Sequence, residues 1–577
     1  MAVVKGKSKT LAGVILAGAV VVAAATQLGS FDESTFAPSP LSQVLGQAQG
    51  VLAGDGFALP AEGTLFAPSV DGAAQKEAQQ GEPPRRPTSY KAIREFREDG
   101  LVQGETIEST GTDESAVAVL DDHAQVTLLD VTVERRSPSS TGGLLAATYG
   151  VGSALLVAPG QLLVGGGTVS TNADGGTGLF VLGKRSEALI ADSAVSTQQS
   201  ASAGLAVVEG ASLCSWDVQV RTEGEQSPAA VVGNEGGSLV LQGGTLMTSG
   251  KESPVLSSKG DLTVLDGSLS AARSHAVEVE GKNAVRLFDC LVSSSPRSSA
   301  DDDCRYNVVL YQGSETDTST GRTTFHMVGG SLSSREGGLF YVTNTQATIV
   351  LQAADLSLAD DAFFLRCSGN TGGRGWGSAG GNGAVCSLTG IGQLMEGDIL
   401  WDSLSQVTVF LTEGSQLVGA VGKDDSFAGS PTAAMAKGQA NLIIDKSSSW
   451  TVTGDSTLSS LSCEGVLSDA EGRPVTIKSP EGATFVKGTS PYTITVTDFS
   501  IVVDASSASQ PDVRADYELE RPEVLSATLE EDGSGEETQA AAAELVDGDG
   551  GEPAMTSGDE ERQSSVETED HEAAGGE

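Results

Sequence analysis

Residues 204–295 read as four successive repeats: GLAVVEGASLCSWDVQVRTEGEQSP (204–228), AAVVGNEGGSLVLQGGTLMTSGKES (229–253), PVLSSKGDLTVLDGSLSAARSH (254–275) and AVEVEGKNAVRLFDCLVSSS (276–295). Each repeat has a short apolar run, a bend that contains glycine, and a second run in which apolar residues alternate with polar or small ones. Alternation with a period of two predicts β-strands rather than helices. A recurrence of roughly 20 to 26 residues is typical of solenoids.

The repeat unit limits the architecture that the chain can adopt. A unit of two or three strands without a helix can bury its apolar face only by stacking on a copy of itself. Parallel crossover connections are overwhelmingly right-handed. We therefore expect an all-β chain folded as a right-handed parallel β-helix. The alternative is a β-sandwich with short strands, but sandwiches rarely repeat one strand–bend–strand unit so regularly.

Apolar and glycine positions recur in register between the repeats. Strands of neighbouring coils lie about 4.8 Å apart, so equivalent residues stack into interior columns. The first expected column contains Val207, Val231, Val255 and Val277. The second expected column contains Leu213, Leu239, Leu262 and Val285. Glycines recur where the chain must turn, and we expect positive φ angles there: Gly210, Gly236, Gly260 and Gly281.

The composition excludes some classes of function. The chain has 577 residues, including 73 glycines, and its formal net charge is −43. Hydrophobic residues make up 39% of the chain and aromatic residues 5%, so aliphatic side chains must fill the core. Nucleic-acid binding requires a basic surface, which this acidic chain does not offer. The same acidity argues against adhesion to anionic membranes.

Residues 1–28 have the pattern of an export signal. Three lysines, Lys5, Lys7 and Lys9, precede the apolar run LAGVILAGAVVVAAA, and the alanines that end it suit a cleavage site. The mostly apolar stretch of residues 11–28 is also just long enough to stay in a membrane as an anchor. Both outcomes predict an extracellular or cell-surface protein. Membrane contact is expected only through this N-terminal segment.

The rest of the chain divides by composition. Residues 29–88 are rich in Pro, Ala and Gln and predict a linker. Residues 89–105 predict an N-terminal cap, because Tyr90, Ile93 and Phe96 have helical spacing; the alternative is a frayed connector. Residues 106–504 are assigned to the β-helix. Residues 505–577 predict a disordered acidic tail, since their charge is high and their apolar content low.

Several short motifs resemble a known family. They are STGTDESA (109–116), EGKN (280–283), VLYQ (309–312), LFYVTNT (339–345), RGWG (374–377) and GGNG (380–383). This set resembles an uncharacterised family of exported, adhesin-like proteins of Gram-positive bacteria with a right-handed, pectate-lyase-like β-helix. The resemblance covers residues 106–497, and AVVGNEGGSL near Ala229 departs from the pattern. It implies a fold and a surface location, and no activity.

One loop is the strongest candidate for ligand binding. The indole of Trp376 can stack on a sugar, and the guanidinium of Arg374 offers several fixed donors. Tyr311 and Tyr341 on neighbouring coils are candidate flanking aromatic residues. The expected partner is an extracellular glycan or a host or cell-surface protein. Alternatively, Trp376 covers a coil and Arg374 pairs with a nearby acid.

Enzymatic function is the main alternative to binding. Glycoside hydrolysis needs two carboxylates that face each other across a cleft. Acidic groups occur at residues 301–303, 360–361 and 424–425, all in expected bends where acids are ordinarily solvated. We therefore assign no catalytic residue, cofactor or metal, and expect a rod that acts by contact. A polysaccharide lyase or hydrolase, and a passive envelope spacer, remain the alternatives.

The six cysteines show no metal-binding spacing. Export permits disulfides, and Cys290 with Cys304, or Cys367 with Cys386, could each close one excursion of the chain. Buried free thiols are an equal alternative, because cysteine behaves as a small hydrophobe. The histidines of the predicted solenoid are far apart in sequence, so they indicate no catalytic triad.

Overall fold

The structure, a computed structural model, describes residues 85–137, 140–296, 304–313, 322–429 and 436–526. Residues 1–84, which include the predicted export segment, lie outside these ranges. The acidic residues from 527 onward also lie outside them. Within them, helix is confined to α1 (Gly143–Tyr149), α2 (Glu523–Ser526) and one 3-10 turn (Arg514–Asp516). The described chain is otherwise built of strands and turns.

The strands of the described ranges follow one another in short segments. The first 24 are β1 (Lys91–Phe96), β2 (Gly100–Gln103), β3 (Thr106–Ser109), β4 (Glu114–Val119), β5 (Gln125–Leu129), β6 (Thr132–Arg135), β7 (Leu155–Val157), β8 (Gly160–Gly165), β9 (Thr168–Thr171), β10 (Leu179–Leu182), β11 (Ser186–Ala191), β12 (Ala194–Thr197), β13 (Leu205–Val208), β14 (Ala211–Trp216), β15 (Gln219–Thr222), β16 (Ala230–Val232), β17 (Gly237–Gln242), β18 (Thr245–Thr248), β19 (Leu256–Ser258), β20 (Asp261–Leu265), β21 (Ser268–Ala271), β22 (Val277–Glu280), β23 (Ala284–Phe288) and β24 (Leu291–Ser294). The next 20 are β25 (Tyr306–Tyr311), β26 (Arg322–Val328), β27 (Ser331–Ser334), β28 (Gly338–Thr343), β29 (Gln346–Gln352), β30 (Asp355–Ser357), β31 (Phe363–Cys367), β32 (Val385–Ile391), β33 (Leu394–Glu396), β34 (Asp398–Trp401), β35 (Gln406–Thr412), β36 (Gln416–Gly419), β37 (Val421–Lys423), β38 (Gln439–Ile444), β39 (Ser449–Val452), β40 (Ser456–Cys463), β41 (Val466–Asp469), β42 (Thr476–Lys478), β43 (Thr484–Val486) and β44 (Thr493–Ser500).

The strands pair coil on coil into long parallel sheets. Sheet 1 takes every third strand from β1 to β37, and sheet 3 every third strand from β3 to β30. Sheet 2 takes every third strand from β2 to β38 and then β40, β42, β43 and β44. Sheet 4, made of β33, β36, β39 and β41, takes the place of sheet 3 in the last coils. This arrangement confirms the predicted parallel β-helix.

The interior columns test the predicted register. In sheet 2, Leu213 pairs with Leu239, which pairs with Leu262, so that column is confirmed. In sheet 1 the prediction is wrong, because the column of Val207 continues through Val232, Ser258 and Val279. Val231 packs instead on the outer face of sheet 1. Both faces of this strand are apolar, so the pattern does not reveal which face is the interior.

A left-handed residue follows the sheet 2 strand of each coil from β2 to β35. The φ angles at this corner lie between 48° and 69°. Glycine, and asparagine or aspartate after it, adopt this conformation at the lowest cost. The corner residues are Gly104, Asp130, Gly166, Asp192, Asp217, Gly243, Asp266, Asp289, Gly329, Ala353, Gly392 and Glu413.

The predicted turn glycines lie mostly at another corner, before the sheet 2 strands. Gly210, Gly236 and Gly281 have φ angles of 77°, 68° and 70°, which confirms the expectation. For Gly260 the expectation is wrong, since its φ is not in the left-handed region. A Cβ atom at Gly260 would lie 2.4 Å from Cγ1 of Val232, so close packing on the preceding coil requires glycine there.

The helix predicted for residues 89–100 is wrong. These residues form β1 and the start of β2, and β1 pairs in parallel with β4. Phe96 packs against the interior core, whereas Ile93 is exposed. An unpaired edge of β4 offers backbone partners for an extended segment, and this tertiary pairing outweighs the helical spacing. Residues 89–105 therefore belong to the first coil.

Residues 505–526, here called the strap, pack along the outer face of sheet 2. The predicted disordered tail is therefore wrong for this part, while its remainder lies outside the described residues. The Tyr517 ring stacks on Phe288 with centroids 6.0 Å apart, and Leu525 is completely buried. The backbone N–H of Leu519 donates to Oε1 of Gln242 at 3.0 Å. The strap covers an apolar face that includes Leu163, Leu189, Cys214, Trp216, Val240, Leu265 and Phe288.

Ion pairs join the strap to the corners of sheet 2. Arg514 contacts Asp266 at 2.5 Å and Asp289 at 2.7 Å, and Arg521 contacts Asp192. Asp512 lies against Arg286 and His326. Burial alone would raise the pKa of the Asp512 carboxyl, but His326 and Arg286 hold that pKa well below its ordinary value. The strap is thus attached by charge as well as by apolar packing.

Removal of the strap should expose the apolar outer face of sheet 2. A chain that ends at residue 508 should bind a hydrophobic dye such as anilinonaphthalene sulfonate and unfold at a lower temperature. A chain that ends at residue 526 is the matched control and should behave as the full chain does. Equal dye binding and equal melting temperature for the two truncated chains would contradict the strap's role.

Gly330, beside the corner of an interior coil, should tolerate no side chain. A Cβ atom at Gly330, next to the corner residue Gly329, would lie 2.1 Å from the carbonyl oxygen of Cys290 in the coil below. Gly330→Ala should lower the free energy of unfolding by about 3 kcal/mol or more. Gly104 has nothing within 4 Å, so Gly104→Ala should cost about 1 kcal/mol from its φ angle alone. Equal losses in urea denaturation would refute stacking as the cause.

Candidate binding site

The candidate site lies on the outer face of sheet 1, between β22 and β34. Successive strands place outward side chains one coil apart, so Glu280 pairs in register with Tyr311. Val309 of β25 in turn pairs with Tyr341 of β28. Residues 368–384 connect β31 to β32 and fold over this face. Stacking therefore brings together residues that are about 30 positions apart in the sequence.

The structure brings the predicted aromatic and cationic residues together. The rings of Tyr311 and Trp376 stack with centroids 4.4 Å apart and an interplanar angle of 29°. The Arg374 guanidinium lies 5.1 Å from the centroid of the Trp376 ring. Tyr341 packs on Tyr306, with ring centroids 5.2 Å apart. All four predicted residues thus belong to one cluster.

The aromatic rings of this cluster are packed rather than open. Trp376 is 5% exposed and Tyr341 is 4% exposed. The Tyr341 hydroxyl donates to the carbonyl oxygen of Gly369 at 2.9 Å, and Tyr311 donates to Glu280 at 3.4 Å. Trp376 therefore covers the outer face of sheet 1, as the alternative interpretation of this residue expected. A sugar could not stack on either indole face without displacing a neighbour.

Two asparagines fix the loop that carries Trp376. Nδ2 of Asn370 donates to the Trp376 carbonyl and to Oγ1 of Thr343, both at 2.8 Å. Nδ2 of Asn382 donates to the Asn370 carbonyl at 2.9 Å. These three buried hydrogen bonds from side-chain amides hold the loop in one conformation. The loop is a fixed wall of the site.

The open part of the site is a groove of about 610 Å³ beside the aromatic cluster. Its wall combines two aromatic rings, two arginines and three acids, which are Tyr306, Phe363, Arg305, Arg366, Glu336, Asp360 and Asp361. The Arg305, Asp360 and Asp361 side chains are exposed. Sequence reasoning did not find Tyr306, Phe363, Arg305 or Arg366. The aromatic and basic residues at the starts of β25 and β31 were the available signal.

The acids considered for catalysis have different environments. Asp360 and Asp361 line the groove, whereas Asp424 pairs with buried Arg366 at 2.8 Å. Asp425 accepts the backbone N–H of Ser403 at 2.6 Å. Residues 301–303 lie outside the described ranges. Of the acids considered for catalysis whose positions are described, only the pair at 360–361 lines the groove.

A buried carboxyl lies behind the aromatic cluster. Glu278 is almost completely buried, and its Oε1 lies 3.7 Å from Nε2 of His275. Burial raises the pKa of Glu278 to about 7, although Arg374 acts in the opposite direction. Nδ1 of His275 lies 2.7 Å from the carbonyl oxygen of Tyr306. Glu278 is therefore poised to change its charge near neutral pH.

The structure contains no disulfide among the six cysteines. Cys290 belongs to the interior core and Cys304 to the outer cluster of sheet 1, so the structure does not bring this pair together. Cys367 and Cys386 are both buried in the interior, where their thiols are hydrogen-bonded to each other. The expected disulfide between residues 367 and 386 therefore remains a prediction.

One group of potential metal ligands occurs in the described ranges. Three potential ligands there, Asp121, Asp122 and His123, have atoms within 4.8 Å of one another. His123 is 91% exposed at its side chain and Arg185 already contacts Asp122, so this group is a solvated turn. No helix of the described part is long and apolar enough to cross a membrane. The apolar run in residues 11–28 lies outside that part.

Comparison with known proteins gives no family assignment. The chain matches no protein-family model, and a search of curated proteins finds no match.

Glu278 should make stability depend on pH between about 4.5 and 7. A carboxyl whose pKa is raised from 4.5 to about 7 by folding does not destabilise the folded state below pH 4.5. Its destabilising effect grows as the pH rises from 4.5 to 7. Above pH 7 the cost is about 3 kcal/mol. Glu278→Gln should therefore unfold at higher urea than the natural chain at pH 8, and equally at pH 4.

The control for this prediction is the next outward acid of β22. Glu280 pairs with Lys259 at 2.9 Å, so Glu280→Gln should gain no stability at pH 8. A Glu278→Gln chain that shows the same stability difference at pH 4 and pH 8 would contradict the assignment.

Proposed function

We propose that the protein is an exported, cell-surface β-helix rod that binds an extracellular glycan or a surface protein in the groove on sheet 1. The observation that carries this proposal is the groove itself, about 610 Å³ in volume and lined by both rings and charges. Ring faces suit the apolar faces of sugars, and arginine and aspartate suit hydroxyls or peptide groups. The partner would be held by contact, without covalent chemistry.

The scaffold supports a binding role. Sheet 1 has 13 strands stacked at about 4.8 Å, which gives a rod of roughly 60 Å. Tyr306, Phe363 and Arg366 of the groove lie on strands of this sheet, so this part of its wall is held in place before any partner arrives, while Arg305, Glu336, Asp360 and Asp361 lie in the turns that precede these strands. Preorganisation of this kind lowers the entropic cost of binding.

The cellular setting is part of the proposal. Export through residues 1–28, membrane contact only through that segment, and membership of an adhesin-like family of Gram-positive bacteria are all inferred from sequence motifs. These inferences agree with a parallel β-helix built largely from stacked repeats. They would place the groove outside the cell, where glycans and surface proteins are available.

A polysaccharide lyase or glycoside hydrolase is the second candidate function. It is favoured by one observation, the placement of two neighbouring carboxylates, Asp360 and Asp361, in the groove. A passive spacer is the third candidate and requires neither binding nor turnover.

A panel of acidic and neutral polysaccharides and surface proteins should separate these candidates. The full chain should bind at least one member, and Arg305→Gln combined with Asp361→Asn should weaken that binding about tenfold or more. Arg221→Ala, which alters an exposed arginine of β15 on sheet 3, is the control and should bind normally. Absence of any binding by the natural chain would support the spacer.

The same samples report on catalysis. Release of reducing or unsaturated ends, abolished by Asp360→Asn or Asp361→Asn, would overturn the binding proposal in favour of the enzyme. Unchanged polysaccharide recovered after binding is the result expected here.

A further inference from the structure

We propose that Cys304 is a reactive thiol whose base is His275, and that it undergoes thiol–disulfide exchange with small disulfides. Sγ of Cys304 lies 3.9 Å from Nε2 of His275, and both side chains are buried. This inference concerns a separate chemistry and does not depend on the proposed binding function.

The hydrogen bonds of His275 determine which ring nitrogen can act as a base. Nδ1 lies 2.7 Å from the carbonyl oxygen of Tyr306. A carbonyl oxygen only accepts, so Nδ1 carries the hydrogen and the neutral ring has its lone pair on Nε2. That lone pair is on the side of Cys304. A nucleophile, a base within reach and a third group that orients the base form the usual arrangement of an activated nucleophile.

Charged groups on three neighbouring elements face this pair. Arg374 and Arg366 line the same small cavity of about 30 Å³ as Cys304, and positive charge there favours the thiolate, although Arg366 also pairs with Asp424. Glu278 of β22 lies 3.7 Å from Nε2, and its carboxylate form, which prevails above about pH 7, favours the imidazolium that proton transfer would create. The Tyr341 phenol also lines the cavity, but its pKa is raised by burial, so it stays neutral.

The other cysteines of the described chain have no such base. Burial raises the pKa of the Cys214 thiol, and burial raises that of Cys290 to about 12. Cys367 has a raised pKa because of its hydrogen bond to Cys386 and its burial. Cys463 is less buried than Cys304, yet its Sγ contacts the Gly465 carbonyl and burial raises its pKa as well. Exposure therefore favours Cys463 as the more reactive thiol, whereas the basic partner favours Cys304.

The exchange step balances without a further oxidant. Nε2 of His275 takes the proton of the Cys304 thiol, and the thiolate attacks one sulfur of the disulfide. The old sulfur–sulfur bond breaks as the bond to Cys304 forms, and the leaving thiolate takes the proton from the imidazolium.

Labelling of the folded, full-length chain tests the assignment. Limited iodoacetamide at pH 7, with each cysteine quantified by peptide mass spectrometry, should modify Cys304 about tenfold or more faster than Cys463. Bis(2-hydroxyethyl) disulfide should form a mixed disulfide at Cys304. If Cys463 reacts first, exposure rather than His275 governs reactivity and the proposal fails.

A histidine variant separates the base from the fold. His275→Asn keeps a donor for the Tyr306 carbonyl and removes Nε2, so labelling of Cys304 should slow about tenfold or more. His326→Asn is the control, since His326 lies on sheet 2, and it should leave the rate unchanged. An unchanged rate in His275→Asn would overturn the proposal.

The natural chain gives a second measurement that needs no variant. The rate of Cys304 labelling should level off at a pH at least about one unit below 8.5, the ordinary thiol value. A rate that continues to rise through pH 9 would show an ordinary thiol and refute the pairing with His275.

Discussion

The left-handed corner after each sheet 2 strand is the constraint on which the rest of the structure depends. It turns the chain from sheet 2 to sheet 3, or to sheet 4 in the last coils, at the same point in every coil from Gly104 to Glu413. Because the coils stack directly on one another, the neighbouring coil limits what fits beside this corner, and at Gly330 it leaves no room for a side chain. Regular corners keep the sheet 2 strands in register, and register keeps the interior columns continuous.

The same corner also prepares the surface for the strap. Aspartate tolerates left-handed φ angles, so it alternates with glycine at these positions, and its carboxylate points outward. Asp192, Asp266 and Asp289 are three such residues, and they receive Arg521 and Arg514. Aspartates that suit the backbone geometry of the corner thus also form a row of negative charges along the stacked coils. The acidic bends of this solenoid are therefore not all simply solvated.

Much of the fold follows from the sequence, and the errors share one cause. The fold class and the Leu213 column depend on alternation, which the sequence shows directly. The Val207 column, residues 89–105 and the strap depend instead on tertiary contacts, which are the covers of the outer faces and, for residues 89–105, the free edge of β4. In sheet 2, runs such as LLV (162–164) and LVL (239–241) are apolar on both faces, a pattern typical of strands buried on both sides. That signal indicates a cover, but not which segment supplies it.

The candidate site is harder to predict for a geometric reason. Its groove takes Arg305, Glu336 and Asp361 from successive coils whose connecting segments differ in length. Sequence spacing cannot place such residues side by side until the corners are known. Trp376 and Tyr311 were recognisable by type, but their burial depends on the loop fixed by Asn370. The segments that cover the outer faces thus determine where functional side chains remain accessible to a ligand. On sheet 1, α1 and Tyr90 cover the first coils and residues 368–384 a later stretch, and the groove opens beside that second cover.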